Sequence, residues 1–293
     1  MIIIGNKYNF LTYELEILQK KEKIIKLPLY SEKEIMEIVN NHPNELIIIN
    51  TPYEFTKKII KKLSDKNVTT IEEFLEKKFQ KYYVPYKSEK HFPVMKPYTK
   101  FQYFQKRVID YLTGGTLLIL AFPIMAYSAY RIKKESPDGP VFFTQYRIGK
   151  DGKPFKCYKF RSMRTDIKFF NKYTQENDPR IFPWGAFMRK TRIDELPQLI
   201  NVFKGEMHMI GPRAEWDELV KEYEKTFPFY HERHKTAPGI TGWAQVNYHY
   251  GQNIEDTRQK LMYDFYYIKN WSLGLEIKTI IKTILVMLGK KGL

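Results

Sequence analysis

Tyr111–Tyr130 reads YLTGGTLLILAFPIMAYSAY, twenty residues without a charge, and it decides what kind of fold the chain has to adopt. As a straight helix it would reach roughly 30 Å, the thickness of the hydrocarbon core of a bilayer. Pro123 stands near its middle, where proline deletes a backbone hydrogen bond and crowds the carbonyl of Ile119. Basic residues flank both ends: Lys100, Lys106 and Arg107 before, Arg131, Lys133 and Lys134 after. Positive charge marks the cytoplasmic side of a membrane, so both ends favour the same side. A re-entrant helix over residues 106–134 satisfies both observations, entering, bending at Pro123 and returning, with Lys106 and Arg107 at the lipid surface. A kinked spanning helix and a buried core helix are the alternatives.

Toward the C-terminus, Leu275–Lys290 (LEIKTIIKTILVMLGK) sets Lys278 and Lys282 four apart among aliphatic residues. It reads either as an interfacial helix with its lysines at headgroups or as an amphipathic helix packed on the domain. Trp243 and Trp271 fit an interfacial belt or a core equally well.

Upstream, residues 1–95 read as a small α/β domain with a linker, leaving 96–293 as a second domain. Met1–Ile4 and Glu45–Asn50 are apolar runs of strand length. Ser31 with Glu34, and Thr70 with Glu73, have capping-box spacing. Tyr53–Leu63 is apolar on one face and lysine-rich on the other, as a surface helix would be. Residues 82–97, rich in Tyr, Lys and Pro, read as the linker. No GxGxxG occurs here, so nucleotide binding by this part has little support. The N-terminal Met-Ile-Ile-Ile is too short for the apolar core of a signal peptide.

With 49 Lys and Arg against 33 Asp and Glu, the 293-residue chain carries a net charge of +16, which favours anionic partners without choosing among them. Cys157 is the only cysteine, so an intrachain disulfide is excluded.

Arg147–Arg164 (RIGKDGKPFKCYKFRSMR) holds seven Lys or Arg against one Asp. Alternation over Phe155–Arg161 predicts a strand with one apolar and one basic face. Lys159 and Arg161 on such a face are candidates to hold a diphosphate, and a merely solvated face is the alternative. The next segment, Met188–Phe203 (MRKTRIDELPQLINVF), places Leu196, Leu199, Ile200 and Phe203 at helical spacing. Pro197 is tolerated only in a first turn, so the helix should begin close to Asp194. Asp194 and Glu195 then stand at the helix N-terminus beside Arg189 and Arg192, an arrangement suited to Mg²⁺ and a phosphorylated substrate, with Asp194 able to attack phosphorus. The plain alternative is an Asp N-cap. Arg213 in Ile210–Ala214 (IGPRA) is a candidate phosphate clamp. Pro238–Asn247 (PGITGWAQVN) is a second glycine-bearing turn, carrying Gln245 as a candidate substrate contact, or a structural hairpin. His231 and His234 lack a third ligand and the HExxH pattern, which speaks against zinc.

At these residues the chain resembles the bacterial sugar transferases, the monotopic polyprenyl-phosphate phosphoglycosyltransferases. The resemblance runs from about Lys106 to Leu293. It rests on ordered blocks: KRVID with the apolar segment, PVFFTQYRIGKDGKPFKCYKFRSMRTD, NDPRI, RKTRIDELPQLINVFKGEMHMIGPR, RHKTAPGITGWAQVN and YDFYYIKNWSL. It implies a re-entrant membrane helix, a membrane-associated α/β catalytic domain and Mg²⁺. It also implies two-step chemistry: Asp194 displaces a nucleoside monophosphate, usually UMP, from a nucleotide sugar, and polyprenyl phosphate then takes the sugar-phosphate from Asp194. Glu195 would hold metal or manage the proton, and Arg147 and Arg213 would lie near the phosphates. The implied partners are a nucleotide sugar, polyprenyl phosphate and the bilayer, not nucleic acid. The implied location is the cytoplasmic face of the inner membrane, in exopolysaccharide, capsule or other glycan assembly, and a homodimer is left open.

The chain departs from the family pattern at Asn247–Gly251 (NYHYG), where many small members have Asn-Gly-Arg, at Ala214, where Pro often follows the Arg, and at Phe122, where small members often have Ser before Pro. The NYHYG form resembles the branch with long N-terminal extensions, of which residues 1–95 would be a shortened remnant. Two readings compete with catalysis: a basic membrane-peripheral binding protein, and an inactive scaffold of the same family.

Overall fold

The computed structural model describes residues 1–27, 32–52, 60–63, 65–86, 95–96, 98–167, 178–248 and 253–289. Ser31, most of the 53–63 stretch, more than half of the 82–97 stretch and residues 249–251 of the NYHYG segment lie outside the described residues. The chain divides into two compact units, Met1–Tyr83 and Val84–Leu293.

In the first unit, β1 (Ile2–Ile4), β2 (Ile25–Leu27), β3 (Ile47–Ile49) and β4 (Val68–Thr70) form a parallel sheet in the order β2-β1-β3-β4. The central strands β1 and β3 are both Ile-Ile-Ile and fully buried, as strands covered on both faces must be. Thr70 caps the following turn by accepting from the Glu73 amide at 3.2 Å, the role its spacing predicts. Beyond the carboxyl ends of β1 and β3, where a doubly wound sheet usually admits a ligand, the chain has its own filling. The Asn50 side chain accepts from the Tyr8 amide at 2.7 Å and donates to the Tyr8 carbonyl at 2.9 Å. Behind it Tyr8, Glu14 and Lys81 are buried together, with Lys81 and the Tyr8 hydroxyl both on the Glu14 carboxylate. Gly5, at φ +94°, allows this approach, since a Cβ there would meet the Asn50 carbonyl at 2.5 Å.

The second unit is mixed α/β. A helix from Lys100 to Glu135 runs without interruption, with Pro123 inside it, and is long and apolar enough to cross a membrane. Its buried residues (Lys106, Asp110, Gly114, Ala121, Ser128 and Ile132) recur at four- and seven-residue intervals and form one stripe. The outward residues are apolar: Leu112, Ile119, Leu120 and Phe122 are all more than 60% exposed. Near its start the helix is tied to the α/β body by Asp110, which accepts from the Met209 amide at 2.8 Å. At its far end Glu135 accepts from the Trp184 amide at 2.8 Å.

β5 (Phe142–Ile148) and β6 (Pro154–Phe160) form an antiparallel hairpin with Gln145 opposite Cys157. β7 (His208–Ile210) pairs in parallel with β8 (Gly239–Thr241), so the Pro238–Asn247 segment is not a hairpin; after β8 it enters a short helix, Trp243–Asn247. Gly239 and Gly242 are required by this crossing: a Cβ on either would stand about 2 Å from Gly211 backbone atoms. Phe155 and Cys157 of β6 pack with Val202, Met207 and Ala214 in one core cluster, while Phe160 joins Ile132, Phe182 and Met188 in another.

Two residues read from sequence as lying at the lipid surface need correction. Lys106 does not sit at a lipid surface: it is fully buried, donates to the Ile210 carbonyl at 2.6 Å and pairs with Glu276. Arg107 is likewise spent inside, on the Val202 carbonyl at 2.9 Å and on Asp110 at 3.1 Å. Of the two readings left open for Trp243 and Trp271, the core holds for both. The C-terminal helix, Leu273–Met287, is packed on the domain through its lysines, as one of its two readings has it. Lys282 turns inward to Asn247 Oδ1 and lies with Lys278 over the Trp243 ring, while Ile277, Ile281, Ile284 and Leu288 are left as an exposed aliphatic stripe.

Candidate active site

The 188–203 segment folds as a helix, Pro183–Thr191, closed by Arg192 in the left-handed region at φ 61°, followed by a 3₁₀ turn, Ile193–Gln198, and a short helix, Leu199–Lys204. Pro197 is accommodated within the 3₁₀ turn, and helical geometry begins at Ile193, as the proline predicts. Asp194 is not a cap: Arg192 occupies the capping position and no side chain caps the turn.

Asp194 and Glu195 are both buried in this first turn, 8% and 7% exposed, yet their surroundings differ. Glu195 Oε1 accepts from Lys159 Nζ at 2.7 Å and from Arg213 at 3.4 Å. Burial alone would raise its pKa, but Arg213 and Lys159 prevail and hold it down at about 2. Asp194 Oδ1 is buried and has no hydrogen-bond partner among the described residues. Burial is the largest influence on Asp194 and keeps its pKa above the usual value, against the pull of Lys159, Arg189 and Arg192. One carboxylate of the pair is thus clamped and ionised, and its neighbour holds an oxygen in reserve.

Lys159 reaches Glu195 because β6 does not divide as its alternation suggests. Phe155, Cys157 and Lys159 share one side of the strand, so the lysine extends from the apolar side into the body of the domain. Arg147, on the partner strand, donates to the Ala214 carbonyl at 2.5 Å and so braces the turn that presents Arg213. Arg233, which the sequence reading passed over within the RHKTAPG block, braces the same turn: it donates to the Arg213 carbonyl at 2.9 Å while paired with Asp264 at 2.8 Å. Arg189 stands close enough to influence Asp194 and reaches Ser162 Oγ at 3.4 Å.

Arg161 does not belong to this group. Its guanidinium closes the end of the long helix, on Ser136 Oγ at 2.6 Å and on the carbonyls of Ser136, Gly139 and Pro140, so it is structural. Gln245 lies on the wall of the adjoining cleft, donating to the Ile240 carbonyl at 3.3 Å with its Oε1 buried and unpartnered.

That cleft has a volume of about 970 Å³. Of the carboxylate pair Glu195 lines it, with Arg192, Arg213 and Gln245, and Leu117 of the long helix with Val286 and Met287 of the C-terminal helix lines an apolar side. Mg²⁺ is commonly held by one or two carboxylates and completed by water and phosphate oxygens. The orphan oxygen of Asp194 beside an ionised Glu195 fits that donor set. No cluster of three or more His, Cys, Asp or Glu able to hold a metal occurs among the described residues, so the protein would supply these two carboxylates and the substrate the rest. His231 and His234 form no such cluster either.

The family model for bacterial sugar transferases matches residues 101–290. Over 186 residues the chain is 46% identical to a UDP-N-acetylgalactosamine-undecaprenyl-phosphate N-acetylgalactosaminephosphotransferase of Aeromonas hydrophila, covering 63% of this chain and 44% of that protein. It is 41% identical over 183 residues to the UDP-glucose:undecaprenyl-phosphate glucose-1-phosphate transferase of Escherichia coli K12, covering 61% of this chain and 39% of that protein. The chain thus spans less than half the length of these two relatives. A shorter relative, the exopolysaccharide production protein PSS of Rhizobium leguminosarum bv. phaseoli, is 40% identical over 186 residues, 61% of this chain and 92% of its own length. With about two thirds of its length matched and the carboxylate pair, the basic clamp and the cleft inside the matched part, the chain belongs to the bacterial sugar transferase family.

Proposed function

We propose that this protein transfers a sugar-1-phosphate from a UDP-sugar to undecaprenyl or a similar polyprenyl phosphate, through a covalent intermediate on Asp194. The observation that carries the reading is the buried Asp194 Oδ1, without a hydrogen-bond partner among the described residues, next to a Glu195 that is clamped by Lys159 and Arg213 and lines a cleft with one apolar side. In the first step the Asp194 carboxylate attacks the phosphorus that bears the sugar. An aspartyl–phosphate bond forms, the diphosphate bridge breaks, and the nucleoside monophosphate leaves with the bridging electron pair. In the second step an oxygen of the lipid phosphate attacks the same phosphorus, and the carboxylate departs unchanged. Arg213, held by Arg147 and Arg233, neutralises charge on the phosphoryl oxygens. Mg²⁺, held by Asp194 and Glu195 together with substrate phosphates, would supply further charge neutralisation. The names of the relatives, which act on UDP-sugars and undecaprenyl phosphate, support the substrate classes.

The long helix is read as re-entrant. Its path of about 54 Å would carry the far end across a bilayer if it spanned. Both of its ends bond to the same unit, which supports a return to one side. The catalytic unit then works on the cytoplasmic face of the inner membrane. The test uses detergent-solubilised protein with UDP-sugars, Mg²⁺ and undecaprenyl phosphate, read by UMP release. Asp194→Asn is expected to abolish turnover while folding and membrane association persist, and mass spectrometry of wild type with donor alone is expected to find a sugar-phosphate on Asp194. Full activity of the variant, or kinetics without an adduct, overturns the mechanism.

A further inference from the structure

A second, smaller cavity of about 210 Å³ shares no lining residue with the cleft at the carboxylate pair. Lys100, Lys150 and Lys235 converge on it from three separate elements: the first turn of the long helix, the β5–β6 turn and the 3₁₀ turn Tyr230–Lys235. Tyr98, Tyr103, His208, Thr236 and Ala237 complete the lining, and no carboxylate is among them. Two buried acids stand behind the lining, each already engaged: Asp110 with His208, and Glu276 with Lys106, Tyr267 and Trp271. Three lysines on the rim of one small space, with Lys150 Nζ over the Tyr103 ring at 5.8 Å, make it electropositive and favour an anion there. Two lining hydroxyls add to this. Thr236 is 3% exposed, and its Oγ1 and the Tyr98 hydroxyl are both buried with no hydrogen-bond partner among the described residues. Two buried O–H donors and three cations form a complementary surface for a tetrahedral oxyanion.

The position of this cavity selects the anion. Lys100 opens the long helix, and from there Phe101, Phe104, Val108, Tyr111 and Leu112 follow at three- and four-residue intervals as an exposed apolar face. An anion seated at the lysines therefore has hydrocarbon-compatible surface beginning within one helical turn. We propose that this cavity binds the phosphate of an anionic phospholipid headgroup, whose acyl chains lie along that face. The site would anchor the unit at a chosen depth and orientation, independently of the transferase reading.

The full chain is tested by co-sedimentation with phosphatidylcholine vesicles, with and without phosphatidylglycerol. Wild type is expected to prefer the anionic vesicles. The triple variant Lys100→Gln/Lys150→Gln/Lys235→Gln is expected to lose that preference by about tenfold or more while its binding to phosphatidylcholine is unchanged. Thr236→Val, which leaves charge and shape alone, is expected to lose about threefold. A charge-matched control at exposed positions, Lys20→Gln/Lys21→Gln/Lys221→Gln, is expected to lose much less. Equal losses in the control and the triple variant would assign the preference to bulk charge and overturn the site, as would a wild-type preference in Thr236→Val. Lysine-dependent thermal stabilisation by inorganic phosphate without any phosphatidylglycerol preference would make the ligand a soluble anion and overturn the headgroup assignment.

Discussion

Asp194 and Glu195 are adjacent carboxylates that the fold makes unlike. Glu195 is committed to Lys159 and Arg213, whereas Asp194 keeps one oxygen without a partner among the described residues. Two environments for two like groups is the usual way a site separates a nucleophile from an electrostatic support. Lys159→Met removes one clamp and leaves Glu195 to Arg213 alone, so the rate of adduct formation is expected to fall by at least tenfold, measured by quenched-flow mass spectrometry. His234 carries a stability prediction. Burial, reinforced by Arg233 and His231, depresses its pKa from 6.5 to about 3. The imidazole is neutral when folded, and the unfolded chain takes up its proton first as pH falls. The stability it contributes is complete above pH 6.5 and is lost as pH drops from there toward about 3. In His234→Phe, the melting temperature is expected to fall less steeply over that window than in wild type. Parallel curves for the two proteins would refute this.

At the scale of elements, the long helix is pinned by a buried network. Lys106 pairs with Glu276 of the C-terminal helix, and Glu276 also accepts from the Tyr267 hydroxyl at 2.6 Å and Trp271 Nε1 at 3.0 Å. Breaking one side of a buried pair strands a charge, so Lys106→Met should cost about 3–5 kcal/mol, seen in chemical denaturation of the solubilised protein. Lys106→Met/Glu276→Gln should recover a large part of that loss, because no charge is left stranded. The β7–β8 crossing is equally unforgiving. A methyl on Gly239 would stand 2.0 Å from the Gly211 amide nitrogen, next to the turn that presents Arg213. Gly239→Ala is expected to lower both melting temperature and turnover, whereas Gly205→Ala, with open space around it but φ +81°, should cost only the strain of a left-handed alanine.

For the whole catalytic unit, the outward stripes of the long helix and the C-terminal helix are the surfaces that water cannot satisfy. Exposed apolar surface of this extent marks an interaction site, and a bilayer is the partner the proposed chemistry requires. Ile281→Glu/Ile284→Glu is expected to release the protein from vesicles, at least in part, without altering its fold by circular dichroism. Cysteine labels at positions 100 and 134, both exposed, are expected to react from the same side of the membrane. Labelling from opposite sides would replace the re-entrant helix with a spanning one.

The sequence by itself determined the two central strands of the first unit, the long helix, the helical turn beginning beside Asp194 and the family, because these follow from local patterns: Ile triplets, an uncharged twenty-residue run, a proline confined to a first turn, and ordered motif blocks. Tertiary structure alone decided which basic residues serve the site. Lys159, Arg161, Lys106 and Arg147 look alike as cations in a string, yet one clamps Glu195, one closes a helix end, one is buried against Glu276 and one braces a turn. A side chain of that length reaches any of several partners, and which it meets depends on what residues distant in sequence bring within about 3 Å. The periodicity of a strand fixes the side on which a lysine emerges, while the packing of the facing elements fixes what it finds there.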